Sequence, residues 1–164
     1  MTIMDFDRMS LEEKRAKLFK CCGSTAWVEK MLAAPFSEDM IDLFQNAEEK
    51  WNECSEEDWK EAFDYHPQIG NTDSLQSDDW AKNEQSKVST ASDDIKQKLA
   101  EANRQYKEKF GYIFIINATN KSAEEILSEL MVRMQNSAEA EIEIAMYEQL
   151  GITRIRLEKL LQEE

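Results

Sequence analysis

The chain has 164 residues, 34 of them acidic and 20 basic, giving a formal net charge of −14 with 41% hydrophobic content. The length suits one globular domain with a real core, and the acidic excess excludes nucleic acid and anionic membrane surfaces as partners while leaving room for a small anion met by one local arginine. No run approaches the roughly 20 apolar residues that a membrane-spanning helix needs.

The amino-terminal run Met1-Thr2-Ile3-Met4-Asp5-Phe6-Asp7 is acidic where a secretion signal is basic, and Leu161-Gln162-Glu163-Glu164 carries no targeting tripeptide. Both point to the cytoplasm. Ser10-x-x-Glu13 and Ser122-x-x-Glu125 read as capping boxes, with Ser55-x-x-Asp58 a weaker version. Ser24, Ser37, Ser77, Ser92 and Ser137 also precede helix-like stretches, where a hydroxyl can accept from first-turn amides. Cys22-Gly23, Pro35, the segment from Pro67 to Gly70, Gly111 and Asn136-Ser137 supply stops. The reading is an all-α, single-domain bundle of about eight helices over residues 1–164.

Periodicity supports this. Ile95, Leu99, Ala102, Tyr106 and Phe110 recur at helical spacing, as do Ile126, Leu127, Leu130, Met131 and Met134. The segment from Ser137 to Leu161 is long and contains Gly151, which predicts a kink or a split there. Only Tyr112-Ile113-Phe114-Ile115-Ile116 is β-like, and with no partner run it reads as a buried extended connector near 112–117. Buried backbone amides need partners. Neighbouring side chains or water can supply them, and so can a polar ligand.

Several residues can carry chemistry. His66 is the one histidine, the side chain that exchanges protons near neutrality. It is either a helix-terminal cation favoured by the macrodipole or an acid/base. Glu84-Gln85 follows in the next helical segment. A carboxylate within reach orients an imidazole, and a glutamine amide offers donors and an acceptor to a urea- or imide-like ligand. Otherwise Glu84 is a solvated helix face.

Cys21, Cys22 and Cys54 match no zinc spacing, so the sequence predicts structural thiols and no metal, with only a carboxylate-only magnesium site left open. Trp27, Trp51, Trp59 and Trp80 read as core. Arg154 and Arg156 point about 200° apart on a helix. Either both are exposed, or one faces inward and meets an anion.

Read in order, these pieces resemble the 2-oxo-4-hydroxy-4-carboxy-5-ureidoimidazoline (OHCU) decarboxylase family over nearly the whole chain. The motifs are Cys22-Gly23-Ser24-Thr25-Ala26-Trp27, Ala34-Pro35-Phe36, Asp58-Trp59-Lys60-Glu61-Ala62-Phe63, His66-Pro67-Gln68-Ile69-Gly70 and Glu84-Gln85. Asn103 with Tyr106, Phe110-Gly111-Tyr112-Ile113-Phe114-Ile115-Ile116, Lys121-Ser122-Ala123 and Ile155-Arg156-Leu157-Glu158-Lys159-Leu160 continue them. Each is weak alone; their order and spacing are specific.

The resemblance implies an all-helical, cofactor-free, usually dimeric enzyme that converts the ureidoimidazoline to (S)-allantoin and carbon dioxide. It implies that His66 is the catalytic acid/base, Glu84 its partner and Gln85 a contact to ureido or ring amide groups. Backbone groups around Ile115, Ile116, Asn117 and Ala118 hold the ligand, Arg156 meets its polar end and Pro67 shapes the pocket wall. Two positions depart from the family pattern: Ala81 stands where serine is common in the pocket, and Ile113 where proline is common. The rival readings are a non-catalytic helical binding or scaffold module and, more distantly, a metal-dependent hydrolase.

Overall fold

The computed structural model describes residues 2–35, 39–66, 80 and 84–162. Every regular element among them is a helix: α1 (Ile3–Asp7), α2 (Leu11–Cys21), α3 (Thr25–Ala33), α4 (Met40–Asn52), α5 (Glu56–Asp64), α6 (Ser86–Ser89), α7 (Asp93–Phe110), α8 (Ala123–Arg133) and α9 (Ala138–Gln162). The all-α reading is borne out, with nine helices among the described residues against about eight expected. None of them is long and apolar enough to cross a membrane. The expected caps at Ser37 and Ser77 and the stop from Pro67 to Gly70 lie outside the described residues.

Serine hydroxyls start the helices because the first-turn amides have no partner within the helix. Ser10 and Ser122 form full capping boxes with Glu13 and Glu125. Ser55 and Asp58 exchange the same pair of bonds at the start of α5. Ser24, Ser92 and Ser137 accept from Trp27, Ile95 and Ala140. The short α1 was not foreseen, although Thr2 and Asp5 make a capping box there too. At the end of α7, Gly111 takes the left-handed conformation at φ 86°, which strains any residue with a Cβ.

Two expectations need correcting. The long last helix runs through Gly151 without a break. A glycine there costs about 1 kcal/mol relative to alanine, and the buried neighbours Leu150 and Ile152 offset it, since burying one such side chain contributes about 1.5–3 kcal/mol. On α8, Ile126 and Leu130 are buried as expected, but Met131 is 50% exposed and Arg133 takes the inward position.

The residues sort into two compact units, Met1–Ala62 with Gln149–Glu164, and Phe63–Glu148. In the first, Trp27, Trp51, Leu18, Met31 and Leu43 are fully buried. The Trp27 indole N–H donates to the Ala47 carbonyl at 3.1 Å, pinning α3 to α4. The Glu61 carboxylate on α5 accepts from both the amide and hydroxyl of Thr25, at 2.8 and 2.7 Å, and so serves the start of α3. Trp80 is buried as expected, and Trp59 is half-buried with its indole N–H on the Trp51 carbonyl.

The second unit is organised around Tyr106 of α7. Its ring lies 4.6, 5.9 and 5.2 Å from those of Phe110, Tyr112 and Phe114, within the range of favourable aromatic pairs. Helix α8 packs on α7, and the Lys109 ammonium donates to the Met134 carbonyl where they end. Residues 113–118 carry neither helix nor strand, yet Phe114, Ile115, Ile116 and Ala118 are buried. The expected connector is present.

Cys21, Cys22 and Cys54 are free and buried. Burial pushes the Cys22 thiol far up and the Cys54 thiol up to about 11, so neither forms thiolate at neutral pH. A thiol reagent is expected to leave all three unlabelled in the native protein and to label all three after denaturation. Labelling of Cys22 in the folded chain, read by mass spectrometry, would contradict this burial.

Candidate active site

His66 sits just past α5 rather than inside it. The helix ends at Asp64, and the His66 amide donates to the Phe63 carbonyl at 3.1 Å in the closing turn. Its side chain is half-buried, while neighbouring Tyr65 is 62% exposed. Phe63, three residues before it, is buried with its ring 5.3 Å from Tyr112 at the start of the connector. The segment bearing the histidine is therefore fastened to the connector. Pro67 lies outside the described residues.

Glu84 and Gln85 lead into α6 and are 8% and 5% exposed. Glu84 is thus not part of a solvated face. Burying a carboxylate is costly unless it is met by polar groups, which makes this a built position. Two residues on, the Lys87 ammonium donates to the Asn120 carbonyl at 3.2 Å, tying this segment to the far end of the connector. Ala81 lies outside the described residues.

The connector thus has one end fastened near His66 and the other near Glu84-Gln85. Between them, the Ile115 carbonyl accepts from Arg133 Nη1 at 2.7 Å. The Asn117 side chain accepts from Thr119, and the Ala118 carbonyl from Lys121. Among the described residues no hydrogen bond engages the Ile116 amide or carbonyl, although Ile116 is 2% exposed. Peptide planarity sets their directions. No cis peptide occurs among the described residues, so the Ile116 N–H points opposite to the Ile115 carbonyl and the Ile116 carbonyl opposite to the Asn117 amide. The Ile116 amide is therefore turned away from Arg133.

Sequence reasoning missed Arg133. It is 6% exposed, and its Nε donates to Glu141 Oε1 at 2.7 Å. Nη2 lies 2.6 Å from the same oxygen but at an angle too poor for a hydrogen bond, so that approach is a charge contact. The fully buried Glu141 also accepts from the Tyr106 hydroxyl at 2.5 Å and from Asn136 Nδ2 at 3.0 Å. Burial, then the bond to Glu141, push the Tyr106 phenol far up, so it stays a donor. The guanidinium also lies over the Phe114 ring, 4.4 Å from its centroid. A signal was available in the chain: Arg133 follows Ile126 and Leu130 at the seven- and three-residue spacing of the buried face of α8.

Arg156 belongs to the first unit and Arg154 with it. Arg156 is 6% exposed and donates to the Lys20 carbonyl at 3.1 Å, in the last turn of α2 where carbonyls lack helical partners. Arg154 is exposed, over the Phe44 ring. The inward arginine is therefore Arg156. Two grooves lie elsewhere: one of about 460 Å³ beside Ala102, Leu127 and Met131, and one of about 480 Å³ beside Phe19 and Val28. Neither is lined by an expected site residue.

Residues 7–158 match the family model described as OHCU decarboxylase. The chain is 40% identical to the uric acid degradation bifunctional protein TTL of Arabidopsis thaliana, over 88% of this chain and 46% of that protein. It is also 40% identical to a 2-oxo-4-hydroxy-4-carboxy-5-ureidoimidazoline decarboxylase of Amia calva, over 37% of this chain and 34% of that one. The chain spans under half the length of the curated relatives it matches. Among solved structures, that of an OHCU decarboxylase crystallised in the presence of (S)-allantoin superposes with a TM-score of 0.78 at 38% identity, covering 90% of this chain and 99% of that one.

The buried Glu141 gives a direct test of the network around it. Tyr106→Phe removes a donor to a buried carboxylate and is expected to cost about 1.5–3 kcal/mol. The measurement is the urea midpoint at unchanged slope; an unshifted midpoint would remove Tyr106 from the network.

Proposed function

The chain belongs to the OHCU decarboxylase family, and on that premise we propose that it converts OHCU to (S)-allantoin and carbon dioxide without a cofactor. The observation that carries this reading is the connector, where the buried Ile116 has an amide turned away from Arg133 and no hydrogen bond to its amide or carbonyl among the described residues. A ring lactam or ureido group offers the complementary pair, one carbonyl and one N–H side by side. Buried backbone groups without an internal partner are rare, and such a ligand would supply both bonds.

The chemistry asks little of the protein beyond placement and one proton. The bond from the ring carbon to the carboxylate breaks, carbon dioxide leaves, and the electron pair stays on that carbon, spread into the adjacent C=N or C=O system. His66, the one histidine, promotes the breakdown and delivers a proton to one face of the neighbouring, ureido-bearing carbon as the hydroxyl on the decarboxylated carbon gives up its proton to become the ring carbonyl, which fixes the handedness of the product. Glu84 orients the imidazole, and Gln85 reads the ureido or ring amide. The Ile116 amide stabilises developing negative charge among buried apolar side chains, where electrostatic interactions are stronger than in water. Ile115, Asn117 and Ala118 supply the backbone that carries it. The family resemblance implies that Pro67 shapes the pocket wall and that Arg156 meets the polar end of the ligand, while Ala81, where serine is common, leaves a hydroxyl contact out. A homodimer in the cytoplasm fits the same resemblance, and the free thiols fit a reducing setting.

Freshly generated OHCU, followed by circular dichroism of the allantoin formed, tests the proposal. The unmodified chain is expected to accelerate formation of the (S) product. His66→Asn is expected to lose about 10²–10⁴-fold in rate, the usual contribution of a positioned acid/base, together with enantioselectivity, at unchanged helical content. Selective turnover by the folded variant would remove His66 from the mechanism. Binding of allantoin without any acceleration by the unmodified chain would make it a binding module instead.

A further inference from the structure

Arg133 lies outside the residues that the proposed reaction uses, yet it acts on the connector that presents Ile116. Arg133 is held in three directions at once. One edge of the guanidinium meets Glu141, Nη1 meets the Ile115 carbonyl at 2.7 Å, and its face lies 4.4 Å from the Phe114 ring centroid. Glu141 is itself fixed by Tyr106 and Asn136. The side chain has little room to rotate, and neither does the peptide it holds.

A buried ion pair is poor evidence of stability. Taking both charges out of water costs several kcal/mol per ion, and replacing such pairs by well-packed apolar residues is often neutral. What this pair supplies is direction. Holding the Ile115 carbonyl toward α8 sends the Ile116 amide the other way, through the planarity of one peptide.

We propose that Arg133 is a positioning residue for the decarboxylation: by holding the peptide between Ile115 and Ile116 it aims the Ile116 amide at the ligand. The inference rests on the proposed function above and assigns that site a residue that touches neither the substrate nor His66. A displacement of reacting groups by about 1 Å can cost 10²-fold in rate. Loosening this clamp therefore lowers kcat more than it raises KM.

Removing Arg133 alone would strand the Glu141 carboxylate, so the main variant is the double replacement Arg133→Met/Glu141→Leu, with Arg133→Lys beside it. Both are compared with the unmodified full-length chain for helical content, kcat and KM with OHCU, and the amide signal of isotope-labelled Ile116 during titration with (S)-allantoin. The expected result is a folded double variant with kcat reduced about 10- to 100-fold, eroded enantioselectivity, and loss of the allantoin-dependent shift at Ile116. Arg133→Lys keeps the charge without the planar fork and falls between. If the double variant does not fold, Arg133→Lys carries the test, with a reduced kcat at little-changed KM and a weakened Ile116 response. Folded variants with unchanged kcat and an unchanged Ile116 response overturn the proposal while leaving the decarboxylase reading intact. Absence of turnover by the unmodified chain overturns that reading, and this proposal with it.

Discussion

The second unit depends on one buried charge. Glu141 has no exposure to water, and a carboxylate in that position is tolerable only if every lone pair is met. Arg133, Tyr106 and Asn136 meet them. Each comes from a different piece of chain: the end of α8, the middle of α7 and the turn before α9. Satisfying one carboxylate thus sets the mutual placement of these elements, and the arginine recruited to neutralise it has one nitrogen left for the Ile115 carbonyl. The connector lacks a sheet to hold it, and this network takes the place of a neighbouring strand.

The aromatic cluster and the network are two sides of the same residue. Tyr106 presents its ring to Phe110, Tyr112 and Phe114 and its hydroxyl to Glu141. An apolar body with a polar tip suits the boundary between core and buried charge. Phe114 repeats the arrangement, with its ring face toward the Arg133 guanidinium. Gly111 lets the chain leave α7 sharply enough for Tyr112 and Phe114 to fold back beneath it, since the left-handed turn there would strain a side-chain-bearing residue.

The fold was legible in the sequence wherever the rule was local. Capping serines need only a residue three positions on, so Ser10, Ser55 and Ser122 could be read directly. Helical spacing exposed Leu99, Ala102 and Tyr106 as a buried face, and the lack of a strand partner correctly turned Tyr112–Ile116 into a connector. The errors came where distant partners overrule local preference. Gly151 does not interrupt α9 because its neighbours are packed, and Arg133 displaces Met131 from the inner face because Glu141 waits for it. Among the candidate site residues, His66 drew attention in the sequence because it is the one histidine. The burial of Glu84 and Arg156, and the clamp on Ile115, depend on chain segments far apart in sequence and were beyond any periodicity.

The connector has a further consequence in the life of the chain before it is folded. Tyr112-Ile113-Phe114-Ile115-Ile116 is an uncharged, β-prone run without proline, the composition of segments that stack between molecules when exposed. The folded protein hides it beneath α7 and α8, but only once the Glu141 network has formed. A nascent or heated chain shows this run naked, and Ile113 stands where a proline would have acted as a gatekeeper. Lysine and glutamate on either side, in Lys107, Glu108, Lys109 and Lys121, are the remaining guards against self-association. The run that the folded protein keeps buried is, in the unfolded chain, a segment prone to self-association, so these five residues bear on how dilute the protein must be to refold cleanly.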